Sequence, residues 1–290
     1  MKKIISFLAV SAMVWACACS ENGAEVTEPD SAQSSEPAES SVPQPVAKQF
    51  RLATYNVGAF NKTEASSIFV ISNMMKEITP DAISLNELDS CTTRTNQVFQ
   101  LKDFATKMGD WDYTFAQAIP YKGGGYGIGI ASDPKLNLLR RARLSLDRED
   151  GSEQRACAVE EFEDFVFMST HLDHKSAAAQ LHQAQTIEAW VAENYGSSPK
   201  PVFLCGDFNA LPTSETILFM KQNWTVISPE GYTYSAVNPK KCIDYIMVYK
   251  NASFRVTAKN ATIATAFSTG DVTTASDHLP VYLDVIISPK

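Results

Sequence analysis

The chain has 290 residues, of which 44% are hydrophobic and 20% charged, the make-up of a globular protein long enough to bury a large core as one or two domains. Its formal net charge of -8 argues against a protein that holds nucleic acid on a broad basic surface, because phosphate neutralisation drives such binding. A small phosphate-bearing substrate is compatible with that charge.

The chain opens with Lys2 and Lys3, then the apolar run Ile4 to Ala16, then Cys17 and Cys19. A short basic segment before a short apolar one reads as an export signal, and the run is too short to span a bilayer as a mature helix. The stretch VWACACSEN resembles a bacterial lipoprotein signal, whose cysteine is lipidated after cleavage. Trp15 sits badly for a cut before Cys17, so Cys19 is the expected lipidation site and residues 1–19 the expected signal. A plain secretory signal with incidental cysteines is the alternative. The resemblance implies an exported protein held on the cell envelope by its N-terminal lipid. Residues 20–48 are rich in Ser, Glu, Pro and Ala and poor in large apolar residues. They cannot bury enough to order themselves and read as a tether. The folded domain is expected over residues 49–290, with no internal repeat and no domain-sized linker.

Within that domain QFRLATYNV alternates and is rich in β-formers, a strand ending near Asn56. Ile68, Ile71, Met75 and Ile78 recur at helical spacing until Pro80-Asp81 breaks the pattern. AISLNELD is the next strand, ending near Glu87, and Val98, Leu101, Ala105 and Met108 mark a second helix. The middle is strand-rich: YTFAQAI, GIGIAS, LNLLRRARLSL, RACAVEEF and FVFMST. Ser176 to Tyr195 is a helix with Leu181, Ala184, Ile187 and Val191 on one face. PVFLCG is a strand, Ser214 to Lys221 a short helix, and CIDYIMVY, FRVTAK and PVYLDVII are strands. Strands and helices mix without a regular βαβ beat, which fits helices covering a mixed or largely antiparallel two-sheet core. Cys91, Cys157, Cys205 and Cys242 show no Cys-x-x-Cys spacing, and buried thiols are expected rather than disulfides.

Polar residues gather at the ends of the apolar runs: Asn56 in TYNV, Glu87 in LNELD, His171 in STHLDH, Asp207 and Asn209 in GDFNA, Asp244 in CIDYI, and Asp277 with His278 in SDHLP. Buried acids are costly unless paired or bound to a metal. Any one of these stretches alone reads as a strand-end turn. As an ordered set over the whole domain they resemble the signature motifs of the endonuclease/exonuclease/phosphatase superfamily. The middle segments GGGYGIGIAS and RACAVEEF resemble that superfamily too. One departure is Asn86, where the superfamily usually has Gln before its metal-binding Glu.

The resemblance implies a DNase I-like fold: a four-layer α/β sandwich of two packed mixed or antiparallel sheets flanked by helices. It implies that Glu87, supported by Asn56 and Asp277, holds Mg²⁺ or Mn²⁺, hard ions that suit oxygen ligands. It gives Asp207 the alignment or deprotonation of a water, and Asn209 and His171 the phosphate oxygens. His278 becomes the base, its tautomer set by Asp244, as orienting acids do for catalytic imidazoles. Arg155, Tyr121, Lys122 and Tyr126 are weaker candidates for the substrate groove, with Arg155 expected to be structural. Asp173 and His174 either shape the pocket or are solvated.

The implied chemistry is hydrolysis of a phosphate ester by in-line water attack, with no covalent enzyme intermediate. The substrate is a nucleic acid, a phospholipid head group or a phosphorylated small molecule. A phosphodiesterase or nuclease acting outside the cytoplasm ranks first. A phosphomonoesterase or lipid or inositol-phosphate phosphodiesterase ranks second, and a non-catalytic surface binding module is a third reading. The basic run RRAR, Arg140 to Arg143, reads as a solvated strand rather than a DNA stripe. A monomer is expected.

Overall fold

The apolar runs and their breakers resolve into strands and helices that meet end to end with the polar residues just named. The computed structural model describes residues 47–61, 67–250 and 253–290. The expected signal, Cys19 and the tether up to residue 46 lie outside the described residues.

In chain order the first half holds β1 (Lys48–Asn56), α1 (Ser67–Ile78), β2 (Ala82–Ser90), α2 (Gln100–Gly109), β3 (Asp112–Tyr121), β4 (Gly124–Ser132), β5 (Arg140–Leu146), β6 (Arg155–Glu161) and β7 (Val166–His171). Then come α3 (Ala177–Tyr195), β8 (Val202–Asp207), α4 (Glu215–Asn223), β9 (Trp224–Val226), β10 (Asp244–Tyr249), β11 (Phe254–Ile263), α5 (Val272–Ala275) and β12 (Val281–Pro289). Pro80 follows α1 as a breaker, with Thr79 left-handed at its end. Ser176 and Ser214 cap α3 and α4 by accepting from the Ala179 and Ile217 amides, each relieving an orphan donor of a first turn.

The strands form two six-stranded sheets, in the orders β11-β12-β1-β2-β4-β3 and β5-β6-β7-β8-β10-β9. Each sheet has one parallel pair at its centre, β1 beside β2 and β7 beside β8, and is otherwise antiparallel. The inner faces bury Leu52, Ile130, Phe167, Phe203, Ile246 and Leu283 against one another. Outside the first sheet, α1 and α2 pack Ile71, Met74, Met75 and Phe104 over Ile83 and Leu85. Outside the second, α3 and α4 pack Ala184, Ile187, Val191 and Met220 over Val166, Met168 and Leu204. The result is the four-layer α/β sandwich of the DNase I-like fold, each helix burying an apolar stripe against a sheet face.

Local details depart from the periodicity. Val98 lies before α2 rather than in it, because its carbonyl accepts from the Cys91 amide and leaves its side chain exposed. On α3, Gln183 is buried where Leu181 is only half-buried, since Gln183 accepts from the Asp173 amide and donates to the Asp147 carbonyl. β5 is an edge strand, so Arg140, Arg141 and Arg143 are all exposed, and Arg141 pairs with Asp112 at 2.7 Å. The four domain cysteines are free thiols, three of them buried and Cys91 exposed.

Candidate active site

The strand order explains why distant polar residues meet. The two central parallel pairs end together, and ligands of α/β proteins bind beyond the carboxyl ends of parallel strands. Asn56 closes β1, Glu87 lies near the end of β2, His171 closes β7 and Asp207 closes β8. Asp244 opens the antiparallel β10 at the same edge. Register places His171, Asp207 and Asp244 opposite one another across three adjacent strands, which puts their side chains on one face of the sheet.

Backbone geometry sharpens these positions. Gly206 has φ +145°, and a Cβ there would lie 1.9 Å from the Thr170 carbonyl oxygen. Only glycine lets β8 approach β7 so closely before Asp207. Glu87 is left-handed, with φ 58°, at a register slip between Leu85 and Leu88 against β4. Regular alternation would send Asn86 and Glu87 to opposite faces. The bulge frees both: Asn86 crosses to the second sheet, and Glu87 turns into the cleft. A left-handed non-glycine residue costs about 1–2 kcal/mol, and such strain collects at functional sites.

Hydrogen bonds lock the two sheets together at this end. The Asn86 amide donates to the Thr170 carbonyl at 2.8 Å and accepts from the Asp207 amide at 3.0 Å. Asn56 Nδ2 reaches Glu87 Oε1 at 3.2 Å and Asp207 Oδ2 at 3.1 Å, so one carboxamide clamps a carboxylate from each sheet. Its Oδ1 accepts from the Gly58 amide at 3.1 Å. Asp207 Oδ1 accepts from the Asn209 amide at 2.8 Å, and Asn209 Nδ2 lies 2.9 Å from His171 Nε2. His171 Nε2 lies 3.4 Å from Asp207 Oδ2. On the other side His278 Nδ1 meets Asp244 Oδ2 at 2.9 Å, leaving Nε2 3.6 Å from Asp207 Oδ2. The Ser276 hydroxyl, which donates to the Asn56 carbonyl, accepts from the His278 amide and steadies that turn.

The electrostatics follow from this burial. Asp207 is almost wholly buried, and burial, reinforced by the negative charge of Asp244, pushes its carboxyl well above the usual carboxylate range. Burial opposes a charge on His278, but Asp244 and Asp207 outweigh it and raise the imidazole's proton affinity. The two flanking carboxylates thus favour the imidazolium form of His278.

These groups share one cleft of about 360 Å³, whose walls include Glu87, Tyr126, Arg155, His171, Asp207, Asn209, Asp277 and His278. Asn56 and Asp244 lie behind it, bound to its walls. Tyr121 is set back from the cleft, its ring centroid 6.0 Å from that of Tyr126 and 4.6 Å from the Arg94 guanidinium. Arg155 is buried, with guanidinium nitrogens 3.4 Å from His171 Nδ1, 3.0 Å from His174 Nδ1 and 3.2 Å from Glu153. Asp173 is neither solvated nor in the cleft. Burial opposes its charge, but the Ser152 hydroxyl and the amides of Ser176, Lys175 and Ser152 overcome it and hold the carboxyl far below the usual range. Glu153, Tyr234, Lys241 and Ile243 also line the cleft, though none of them stands out as a candidate in the sequence. Glu153 just precedes RACAVEEF, Lys241 just precedes CIDYI and Ile243 lies within it, whereas Tyr234 carries no local signal.

Two groups of side chains offer metal ligands. Asp207, Asp244 and His278 each present an atom within 4.8 Å of the others. Two of those residues spend ligand atoms on each other, at 2.9 Å, and the arrangement is that of a proton relay. Glu87 and Asp277 also line the cleft, and their carboxylates could hold an ion. An all-oxygen donor set fits a hard divalent ion such as Mg²⁺ or Mn²⁺.

The sequence model of the Endonuclease/Exonuclease/phosphatase family matches residues 53–278. No curated protein matches the sequence. Among solved structures, a mannosyl-6-phosphatase of Bacteroides thetaiotaomicron is similar at 20% identity and TM-score 0.67, over 81% of this chain and 99% of that one. An endonuclease/exonuclease/phosphatase of Bacteroides vulgatus is 19% identical with TM-score 0.65, over 82% and 98%. The catalytic domain of human Nocturnin, with bound sulfate, is 18% identical with TM-score 0.62, over 83% and 95%.

Proposed function

The chain belongs to the endonuclease/exonuclease/phosphatase family, and from that premise we propose that it hydrolyses a phosphate ester by in-line attack of water, with a divalent ion. The observation that carries this reading is the convergence of a relay, Asp244–His278–Asp207, with two oxygen ligands, Glu87 and Asp277, on one cleft. Asp207 aligns the attacking water through the carboxylate oxygen that faces both imidazoles. His278 Nε2 takes its proton, and Asp244 holds Nδ1–H and stabilises the imidazolium. Asn209 Nδ2 and His171 hold phosphoryl oxygens on the opposite side. Glu87 and Asp277 would hold Mg²⁺ or Mn²⁺, which when bound offsets charge developing on the phosphoryl group. Asn56 fixes the spacing between the ion side and the water side.

The family resemblance ranks a phosphodiesterase or nuclease first, outside the cytoplasm on a lipid-anchored protein, while the acidic chain argues against tight binding to long duplex DNA. The cleft favours a second reading, a phosphomonoesterase, because its rim presents a further cation, Lys241. A relative named as a mannosyl-6-phosphatase shares the fold, which supports asking the question with sugar phosphates. The test is turnover on plasmid DNA, RNA, sphingomyelin, inositol phosphates, sugar phosphates and bis-p-nitrophenyl phosphate, with Mg²⁺ and with chelator. Metal-dependent release from one class supports hydrolysis and names the substrate class. No turnover of any, with intact binding, would make the protein a binding module. Loss of membrane association in Cys19→Ala checks the anchor.

A further inference from the structure

We propose that Lys241 selects phosphomonoesters over phosphodiesters by meeting the extra negative charge of a dianionic phosphate; this rests on the hydrolase reading above. Of the two cations that line the cleft, Arg155 is committed. It is buried and engaged by Glu153, His171 and His174. Lys241 is exposed, and among the described residues no carboxylate pairs with it. Its ammonium is available to a ligand.

The backbone fixes where that ammonium stands. Lys241 and Tyr234 exchange amide-to-carbonyl hydrogen bonds at 2.9 and 3.1 Å, and Tyr234 is bridged in turn to His278. The Lys241 ammonium lies 5.6 Å from the Tyr234 ring centroid, and that ring lies 4.9 Å from the His278 ring. The cation is thus held one aromatic ring away from the base, on a short ladder instead of a free loop. A ring face attracts an ammonium and limits where a long side chain wanders.

The consequence is a difference in charge. A phosphomonoester carries about 1.5 to 2 negative charges at neutral pH, while a diester carries a single one. The same cleft holds the acids Glu87, Glu153, Asp207 and Asp277, which repel any anion. A further cation beside the phosphate site therefore rewards the more highly charged ester more. Charge-assisted contacts are the strong ones, and one made at a rim is worth about tenfold in affinity.

The experiment compares p-nitrophenyl phosphate with bis-p-nitrophenyl phosphate on the Mg²⁺-loaded full chain and on Lys241→Met, Lys241→Glu and Lys241→Arg. Calorimetric binding of inorganic phosphate to each is measured alongside. The expected result is that Lys241→Met raises KM for the monoester and Kd for phosphate about tenfold. The diester KM and kcat on either ester should change less than about twofold. Lys241→Glu should lose more, Lys241→Arg should retain wild-type discrimination, and thermal melts should coincide. Equal effects on both esters, or unchanged monoester KM and phosphate Kd, would overturn the role of Lys241 and leave hydrolysis standing. Phosphate binding that depends on Lys241 without any turnover would instead sink the hydrolase reading and keep the anion site. Neither binding nor turnover in the wild type would sink both.

Discussion

His278 Nδ1 lies 2.9 Å from Asp244 Oδ2, with both side chains buried. The contact leaves the second ring nitrogen as the one that faces Asp207, at 3.6 Å. Replacing the carboxylate with a carboxamide keeps the shape but removes the charge that stabilises the imidazolium. Asp244→Asn is expected to lower kcat by about 10²-fold or more while leaving KM near wild type, and His278→Ala at least as much. Steady-state kinetics with a far-UV spectrum of each variant checks this; wild-type turnover in His278→Ala would remove the base from the mechanism.

Glu87 and Asp277 both line the cleft and would hold the divalent ion. Chelation should abolish turnover, and added Mg²⁺ or Mn²⁺ should restore it. Glu87→Gln keeps the amide contact with Asn56 but weakens the ligand, so the Mg²⁺ concentration for half-maximal rate should rise about tenfold or more. A Mg²⁺ titration of the rate that is superimposable on wild type would contradict the assignment.

Asn86 spends its carboxamide between the sheets, giving to Thr170 and taking from Asp207. Asn86→Leu removes both contacts and leaves two buried backbone groups unpaired, each at about 1–3 kcal/mol. The variant should melt lower and lose kcat, because Asp207 loses the bond that seats its backbone. An unchanged melting temperature would show that the bridge carries no stability.

Much of this was legible as a pattern. Apolar runs ending in Asn56, His171 and Asp207 were readable because each strand ends where its polar residue begins, and the helical stripe Ile71, Met75, Ile78 is buried as spaced. Asn86 was readable only as a departure, because its role depends on crossing to Thr170 and Asp207, 84 and 121 residues later, contacts no local pattern encodes. The left-handed bulge at Glu87 hides behind an ordinary strand sequence. Tyr234 and Lys241 sit in a stretch with neither helical nor strand period, and only pairing to His278 brings them to the cleft.

Glu160 lies fully buried on β6, away from the relay, accepting from the Thr114 hydroxyl at 2.7 Å and the Ser132 hydroxyl at 2.6 Å. Burial pushes its carboxyl up from 4.5 to about 7, against those two hydroxyls, which pull it down. A carboxyl with a raised folded-state pKa favours the folded state while it is protonated. That contribution is fully present below pH 4.5, falls between there and about pH 7, and is lost above. Well above pH 7 the buried charge costs about 3 kcal/mol. Glu160→Gln removes the charge and leaves the shape, so it should raise the melting temperature by about 4–10 °C at pH 8 and hardly change it at pH 4. Thermal melts of both proteins across that range test the sign, because other titrating groups cancel in the difference. A stabilisation that is equal at both pH values, or that is larger at pH 4, would mean that Glu160 is not the group that titrates.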